Sequence, residues 1–229
     1  LSKISGILKK YRDTNTSKYP ILHSDASQAP RYMSVKPKQL GAELLTLDGQ
    51  KIYGPKGIGV LYKDTSVKLS PILVGGSQEE KIRPGTQNVC GALAMARAFE
   101  ICEERRNADN KKLEDLKKYF ISELPGAVHN AEINGAAKRA VPGIINIYLP
   151  NIIDAERFLI DLDVRGIAIS LGSACGTSGR EPSHVISAMY GNEERAHKSA
   201  RFSFGRETTK THIKKTIEIL KEVTREDSP

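Results

Sequence analysis

Tryptophan is absent from the 229-residue sequence, cysteine occurs only three times, and no apolar run approaches the ~18 residues of a membrane span. A sparse, odd number of cysteines argues against a disulfide scaffold and fits a reducing compartment, the cytoplasm being the expected location. The five histidines (23, 129, 184, 197 and 212) have no metal-ligand spacing, so no metal site is expected. No internal repeat or low-complexity tract is present, and the ordinary composition excludes collagen, coiled coil and wholesale disorder. The first segment is not a signal peptide, and the chain begins at Leu1 rather than Met, so processing or truncation is expected to have removed something.

Lys and Arg together number 35 against 27 Asp and Glu, a formal net charge of +8. The basic residues are scattered, many alternating with acidic ones as on solvated helix faces. No RNA-binding signature, zinc-finger spacing or aromatic platform interleaves them, so dedicated nucleic-acid binding is not expected. A basic surface that attracts an acidic protein partner is.

Strand-like and helix-like stretches alternate, which makes the class α/β. Ile4, Leu8 and Tyr11 predict a helix over 1–13. Short strands are predicted at 20–23 (ending at Ser24-Asp25), 44–47 and 58–62, the last after a turn containing Gly54, Pro55, Gly57 and Gly59. Asn88 can cap a helix carrying Leu93, Met95, Phe99 and Cys102. A second helix with Leu113, Leu116, Phe120 and Leu124 should stop at Pro125-Gly126. Beyond it, strands are predicted at 144–149, 167–170 and 200–204, and helices at 154–162, 183–190 and after Thr208 or Thr209. A domain boundary is expected within 88–125, giving domains 1–95 and 96–229.

Four places could carry chemistry. Lys51, just past a strand end and before a Gly-rich turn, could form an imine with a carbonyl, or be a solvated loop lysine. Asp25, with Gln28 three residues on, could pair with a cofactor ring nitrogen, or simply cap a turn. Cys175 lies in a run of small residues, Gly172 to Gly179, that cannot pack a core. It is a candidate nucleophile or carrier, or an incidental surface thiol, whereas Cys90 and Cys102 fall on a predicted helix as core thiols. Arg201, inside the apolar strand Ala200 to Phe204, needs either a substrate carboxylate or a structural ion-pair partner.

Taken together, HSDASQ (23–28), KIYGPKGIGVLY (51–62), RPGTQN (83–88), SLGSACGTSGREPSHV (170–185) and SARFSFGRETT (199–209) resemble the cysteine desulfurases of the class V aminotransferase family. The stretches occur in family order across nearly the whole chain, and the extended Cys loop resembles the branch typified by the nitrogen-fixation and housekeeping iron–sulfur desulfurases. The resemblance implies the C-terminal part of a pyridoxal 5'-phosphate (PLP) transferase of fold type I: a partial large domain and a smaller α/β domain. It implies that Lys51 carries the cofactor and moves protons at the substrate Cα. Asp25 would pair with the pyridine nitrogen and Gln28 with the phenolic oxygen. Thr86 would reach the phosphate of the neighbouring subunit's cofactor, which requires a homodimer. Arg201 would hold the carboxylate of L-cysteine, and Cys175 would take its sulfur as a persulfide, leaving alanine. The sulfur would pass to an acceptor protein, such as an iron–sulfur scaffold or a tRNA-thiolation protein.

Two departures stand out. The family commonly has a small hydroxyl residue and a histidine shortly before the lysine, both serving the phosphate; Asp48 and Gln50 stand there. Gln50 can still donate an N–H, but Asp48 is an anion where another anion should bind. Either its carboxylate turns away or phosphate affinity falls. The family's first phosphate loop, its ring-stacking aromatic residue and an asparagine near the phenolic oxygen have no counterpart here. The isolated chain is therefore expected to bind the cofactor weakly. Two other readings remain: a class V aminotransferase that needs no loop cysteine, and a non-catalytic truncated or degenerate paralogue acting as a binding partner.

Overall fold

The computed structural model describes residues 1–136, 140–172 and 182–226. The chain divides into two compact units, Leu1–Asn107 and Ala108–Pro229.

The first unit opens with helix α1 (Ser2–Thr14), followed by strand β1 (His23–Asp25), a short helix α2 (Pro37–Leu40), and strands β2 (Leu44–Asp48) and β3 (Gly59–Lys63). The sheet order is β1-β2-β3. β1 runs parallel to β2, with Asp25 opposite Thr46, and β3 returns antiparallel. β1 starts three residues later than the sequence suggests. Pro20 has no N–H to offer a ladder, and pairing begins where the Leu22 carbonyl accepts from the N–H groups of Glu43 and Leu44. One face of the sheet is apolar, with Ala26 and Leu45 buried against Val35 and Ala42, and Leu47, Tyr62 and Phe99 packed alongside. Glu43 fastens α1 by pairing with Arg12 while accepting from the Leu22 N–H at 2.7 Å.

Helix α3 runs unbroken from Val89 to Ala127 and gives residues to both units. Two helices were expected here. The apolar stripe lapses between Cys102 and Leu113, but half-buried polar residues keep its phase. Arg106 donates to the Pro30 carbonyl at 3.1 Å, and Asp109 pairs with Arg206 at 2.8 Å. Such partners allow charged side chains to occupy a core-facing stripe. Pro125 lies in the final turn, and the helix passes it by two residues. Asn88 caps the start, its Oδ1 accepting from the Gly91 N–H at 2.9 Å.

The second unit contains β4 (Glu132–Ile133), β5 (Ile144–Tyr148), α4 (Ala155–Val164), β6 (Ser170–Leu171), α5 (His184–Tyr190), α6 (Glu193–His197), β7 (Ser199–Ser203) and α7 (Lys210–Glu226). The sheet is antiparallel throughout, in the order β4-β5-β7-β6. Asp154, Ser183, Asn192 and Thr209 cap α4, α5, α6 and α7. The core holds Phe120, Phe158, Ile147, Leu162, Ile213 and Leu220, all fully buried. The Phe120 ring lies 5.2 Å from that of Phe202 and 5.7 Å from that of Phe204. The strand expected over 167–170 shrinks to Ser170–Leu171. Among the described residues no helix is long and apolar enough to cross a membrane.

Candidate active site

In a parallel strand pair, ligands gather at the carboxyl ends. β1 ends at Asp25 and β2 at Asp48, so both strands of the parallel pair finish on a carboxylate. Side chains alternate along a strand, and the register sets Asp25 beside Thr46, opposite in face to Ala26 and Leu45. The His23 ring confirms that face, its Nε2 lying 2.8 Å from Thr46 Oγ1. One side of the sheet is thus core, and the other presents His23, Asp25, Thr46 and Asp48.

Asp25 is exposed, and its Oδ1 accepts from the Ser27 N–H at 2.9 Å. Hydrogen bonds from the Ser27 hydroxyl and N–H, with a smaller contribution from His23 charge, hold its pKa below the ordinary carboxylate value. The turn-capping role and a carboxylate biased toward its ionised form therefore coexist in one residue. Gln28 is exposed and its side chain makes no hydrogen bond among the described residues. Sequence reading overlooked Ser27, though an Asp-x-Ser turn is its signal.

Lys51 sits in a tight 3-10 turn, Gln50–Ile52, directly after β2. Gly49 starts it, with its N–H bonded to the Ile58 carbonyl at 3.0 Å. The Gly54 N–H closes back on the Gly49 carbonyl at 2.8 Å, and a Cβ on Gly54 would meet that same oxygen at 2.8 Å. Ile52 is buried against Met95, Ala98 and Cys102, and the Cys102 thiol donates to the Ile52 carbonyl at 3.3 Å. Lys51 between these anchors is exposed, and its amine has no hydrogen bond or ion pair among the described residues. Asp48 is turned onto its own loop: its carboxylate accepts from the Gln50 N–H at 3.0 Å and from Gln50 Nε2 at 3.3 Å. Gln50 therefore spends one of its two side-chain N–H groups on Asp48.

Arg201 lies in the middle of β7, across from Asn146 on β5 and Ser170 on β6, on the face opposite buried Ala200 and Phe202. It donates to Ser170 Oγ at 3.1 Å and has no carboxylate partner among the described residues. Most of the guanidinium fork is left to meet a carboxylate two-handed. Asn146 and Ser170, unnoticed in sequence, gain meaning only through strand register.

Thr86 is exposed in the loop before α3, beside Gly85 at φ +104°, and makes no hydrogen bond to Asp25, Gln28 or Lys51. Cys175 lies outside the described residues. Cys102 is a core thiol as expected, but Cys90 is exposed. Twelve residues separate the two, about 120° around the helix at 3.6 residues per turn, so Cys90 leaves the stripe that Cys102 occupies. Groups of three or more potential metal ligands are absent among the described residues.

Residues 3–216 match the family described as aminotransferase class-V. The chain is 37% identical over 201 residues to the cysteine desulfurase IscS of Dictyoglomus turgidum, covering 88% of this chain and 51% of that protein. It is 35% identical over 201 residues to the cysteine desulfurase IscS of Methanosarcina thermophila, covering 88% and 49%. The crystal structure of a NifS-like protein from Rickettsia africae superposes with a TM-score of 0.83 at 28% identity, over 97% of this chain and 56% of that one. The chain spans about half the length of the relatives it matches.

Proposed function

Because the chain belongs to the class V aminotransferase family, we propose that it supplies the lysine side and the substrate-carboxylate side of a PLP-dependent cysteine desulfurase. The observation that carries this reading is Lys51, with no hydrogen bond or ion pair among the described residues, on a tight turn after β2, and a carboxylate of lowered pKa at the end of the parallel neighbour β1. These residues fit the cofactor on its ring side. An ionised Asp25 is the partner that a protonated ring nitrogen requires, and Gln28 has its amide free for a phenolic oxygen. On the phosphate side Gln50 has a second Nε2 N–H for an anion, beside the charge of Asp48.

Bound PLP supplies an electron sink for the substrate's Cα–H bond. Lys51 Nζ binds the cofactor aldehyde and carries a proton to and from the substrate Cα. Arg201 orients L-cysteine by its carboxylate. The Cys175 thiolate attacks the substrate sulfur; the S–S bond forms, the Cβ–S bond breaks, and its electron pair stays on Cβ, which takes a proton to give alanine. Cys175 is left as a persulfide, which a sulfur-acceptor protein of iron–sulfur cluster assembly or tRNA thiolation then receives. In this reading the enzyme is a cytoplasmic homodimer, with Thr86 reaching the cofactor phosphate of the partner subunit.

The test is to incubate the chain with PLP, reduce with borohydride and map the pyridoxyl-lysines by peptide mass spectrometry. Lys51 is expected to be labelled well above Lys56, an exposed lysine five residues away. Equal labelling of the two overturns the reading. In the assembled enzyme, Cys175→Ala should abolish persulfide and alanine formation while leaving the Lys51 label intact. Full turnover in that variant would make the protein an aminotransferase rather than a desulfurase.

A further inference from the structure

The turn that presents Lys51 ends at Tyr53, whose backbone is left-handed at φ +65°. A residue with a Cβ resists that conformation and persists there only when its surroundings impose it. Ile52 secures the turn from below, by burial and by the Cys102 thiol. On the outer side Arg31 donates from one terminal nitrogen to the Tyr53 hydroxyl at 2.7 Å, with its guanidinium 4.6 Å from the centre of the Tyr53 ring. The same guanidinium lies 5.2 Å from the Tyr32 ring, which gives it a second aromatic contact. Arg31 closes the 3-10 turn Ala29–Arg31 that begins at Gln28. The Arg31–Tyr53 contact therefore joins the segment that follows Asp25 and holds Gln28 to the turn after β2 that holds Lys51.

We propose that Arg31 and Tyr53 are positioning residues: their clasp holds the left-handed corner and so fixes the Lys51 amine relative to the end of β1. This rests on Lys51 being the cofactor lysine. The Lys51 amine has no hydrogen bond or ion pair among the described residues, so its place is set by the turn, through Ile52 and Tyr53 on its C-terminal side. Ile52 is held whatever happens at the surface, whereas Tyr53 is held from outside by Arg31. Loss of the clasp frees the corner to move toward right-handed backbone, which swings the lysine while the core stays intact.

The experiment compares the Lys51-to-Lys56 pyridoxyl ratio after borohydride reduction in the unaltered chain, Arg31→Ala, Tyr53→Phe and Tyr53→Ala. Lys56 is an internal control, because a fall in overall reactivity or a general loosening moves both lysines together. The ratio should fall at least fivefold in Arg31→Ala and Tyr53→Ala. Tyr53→Phe keeps the ring and loses only the hydroxyl bond, so it should fall about twofold. Circular dichroism melts should stay within a few degrees of the parent. If Arg31→Ala does not fold, Tyr53→Phe decides. An unchanged ratio in folded variants overturns the proposal while leaving the functional reading standing; no Lys51 preference in the unaltered chain overturns both.

Discussion

Replacing Phe120 by alanine is the sharpest test of how the second unit holds Arg201. Phe120 is fully buried and is the ring through which α3 meets Phe202 and Phe204. Phe202 is next to Arg201 in β7, facing the other way. Truncating a buried phenylalanine costs about 3–5 kcal/mol, counting the transferred area and the cavity left behind. Three rings meeting at this point place the expected loss at about 4 kcal/mol, a large share of the roughly 5–15 kcal/mol available to a domain. With a urea slope of about 2 kcal/mol/M, the midpoint followed by circular dichroism should drop by about 2 M. A cycle of Phe120→Leu and Phe202→Leu isolates the ring pair, with an expected coupling of about 0.5–1.5 kcal/mol. A Phe120→Ala loss below about 1 kcal/mol, or a coupling of zero, would refute the packing described, because no buried ring contact is that cheap to remove.

Two further outcomes are expected. Lys117 is almost wholly buried and donates to the Val141 and Ile144 carbonyls, each at 3.2 Å, and burial lowers its pKa. The folded state therefore binds fewer protons than the unfolded chain as pH rises toward ~10.4, and the neutral amine keeps two N–H groups for the same carbonyls. The stability of the parent relative to Lys117→Met should rise between pH 7.5 and pH 10; parallel curves would sink the reasoning. Gly54→Ala places a Cβ 2.8 Å from the Gly49 carbonyl, a backbone atom that cannot turn aside. It should cost about 1–3 kcal/mol and lower the Lys51 pyridoxyl label; a melt within error of the parent would contradict it.

The elements that were legible in sequence are those with local signals. Asn88 and the Thr208-Thr209 pair announced helix starts by capping chemistry, and Asn88 and Thr209 each accept the expected N–H. The α/β class followed from alternation, and the polar ends of β1 and β2 marked where chemistry could gather. What stayed hidden depends on distant partners. α3 read as two helices because Arg106 and Asp109 look solvated until Pro30 and Arg206 arrive from 76 and 97 residues away. α6 is a five-residue helix with one buried side chain, Ala196, too short for its periodicity to register. The setting of Arg201 was invisible for the same reason, since Asn146 and Ser170 become its neighbours only through strand pairing.

Asp48 shows how local structure can answer a question of charge that composition leaves open. A carboxylate beside a phosphate site would repel the incoming anion by about 4 kcal/mol at 4 Å and an effective dielectric constant of 20. In the fold it is neither turned to the core nor free. It closes a ring on Gln50, taking both the backbone and the side-chain N–H. That bonding quenches part of its charge and occupies one of the two Nε2 N–H groups that Gln50 could offer to a phosphate. Nε2 carries a second N–H, so an anion arriving at Gln50 can take that donor while Asp48 keeps the first, which brings two negative charges onto one amide. On the proposed placement of the phosphate at Gln50, the charge of Asp48 opposes the anion. Asp48→Ser removes the charge, keeps an oxygen for the Gln50 N–H and releases the side-chain amide. PLP should then label Lys51 at lower concentration, while pyridoxal, which lacks the phosphate, should label it as before. Equal gains with both aldehydes would place the effect of Asp48 elsewhere in the turn.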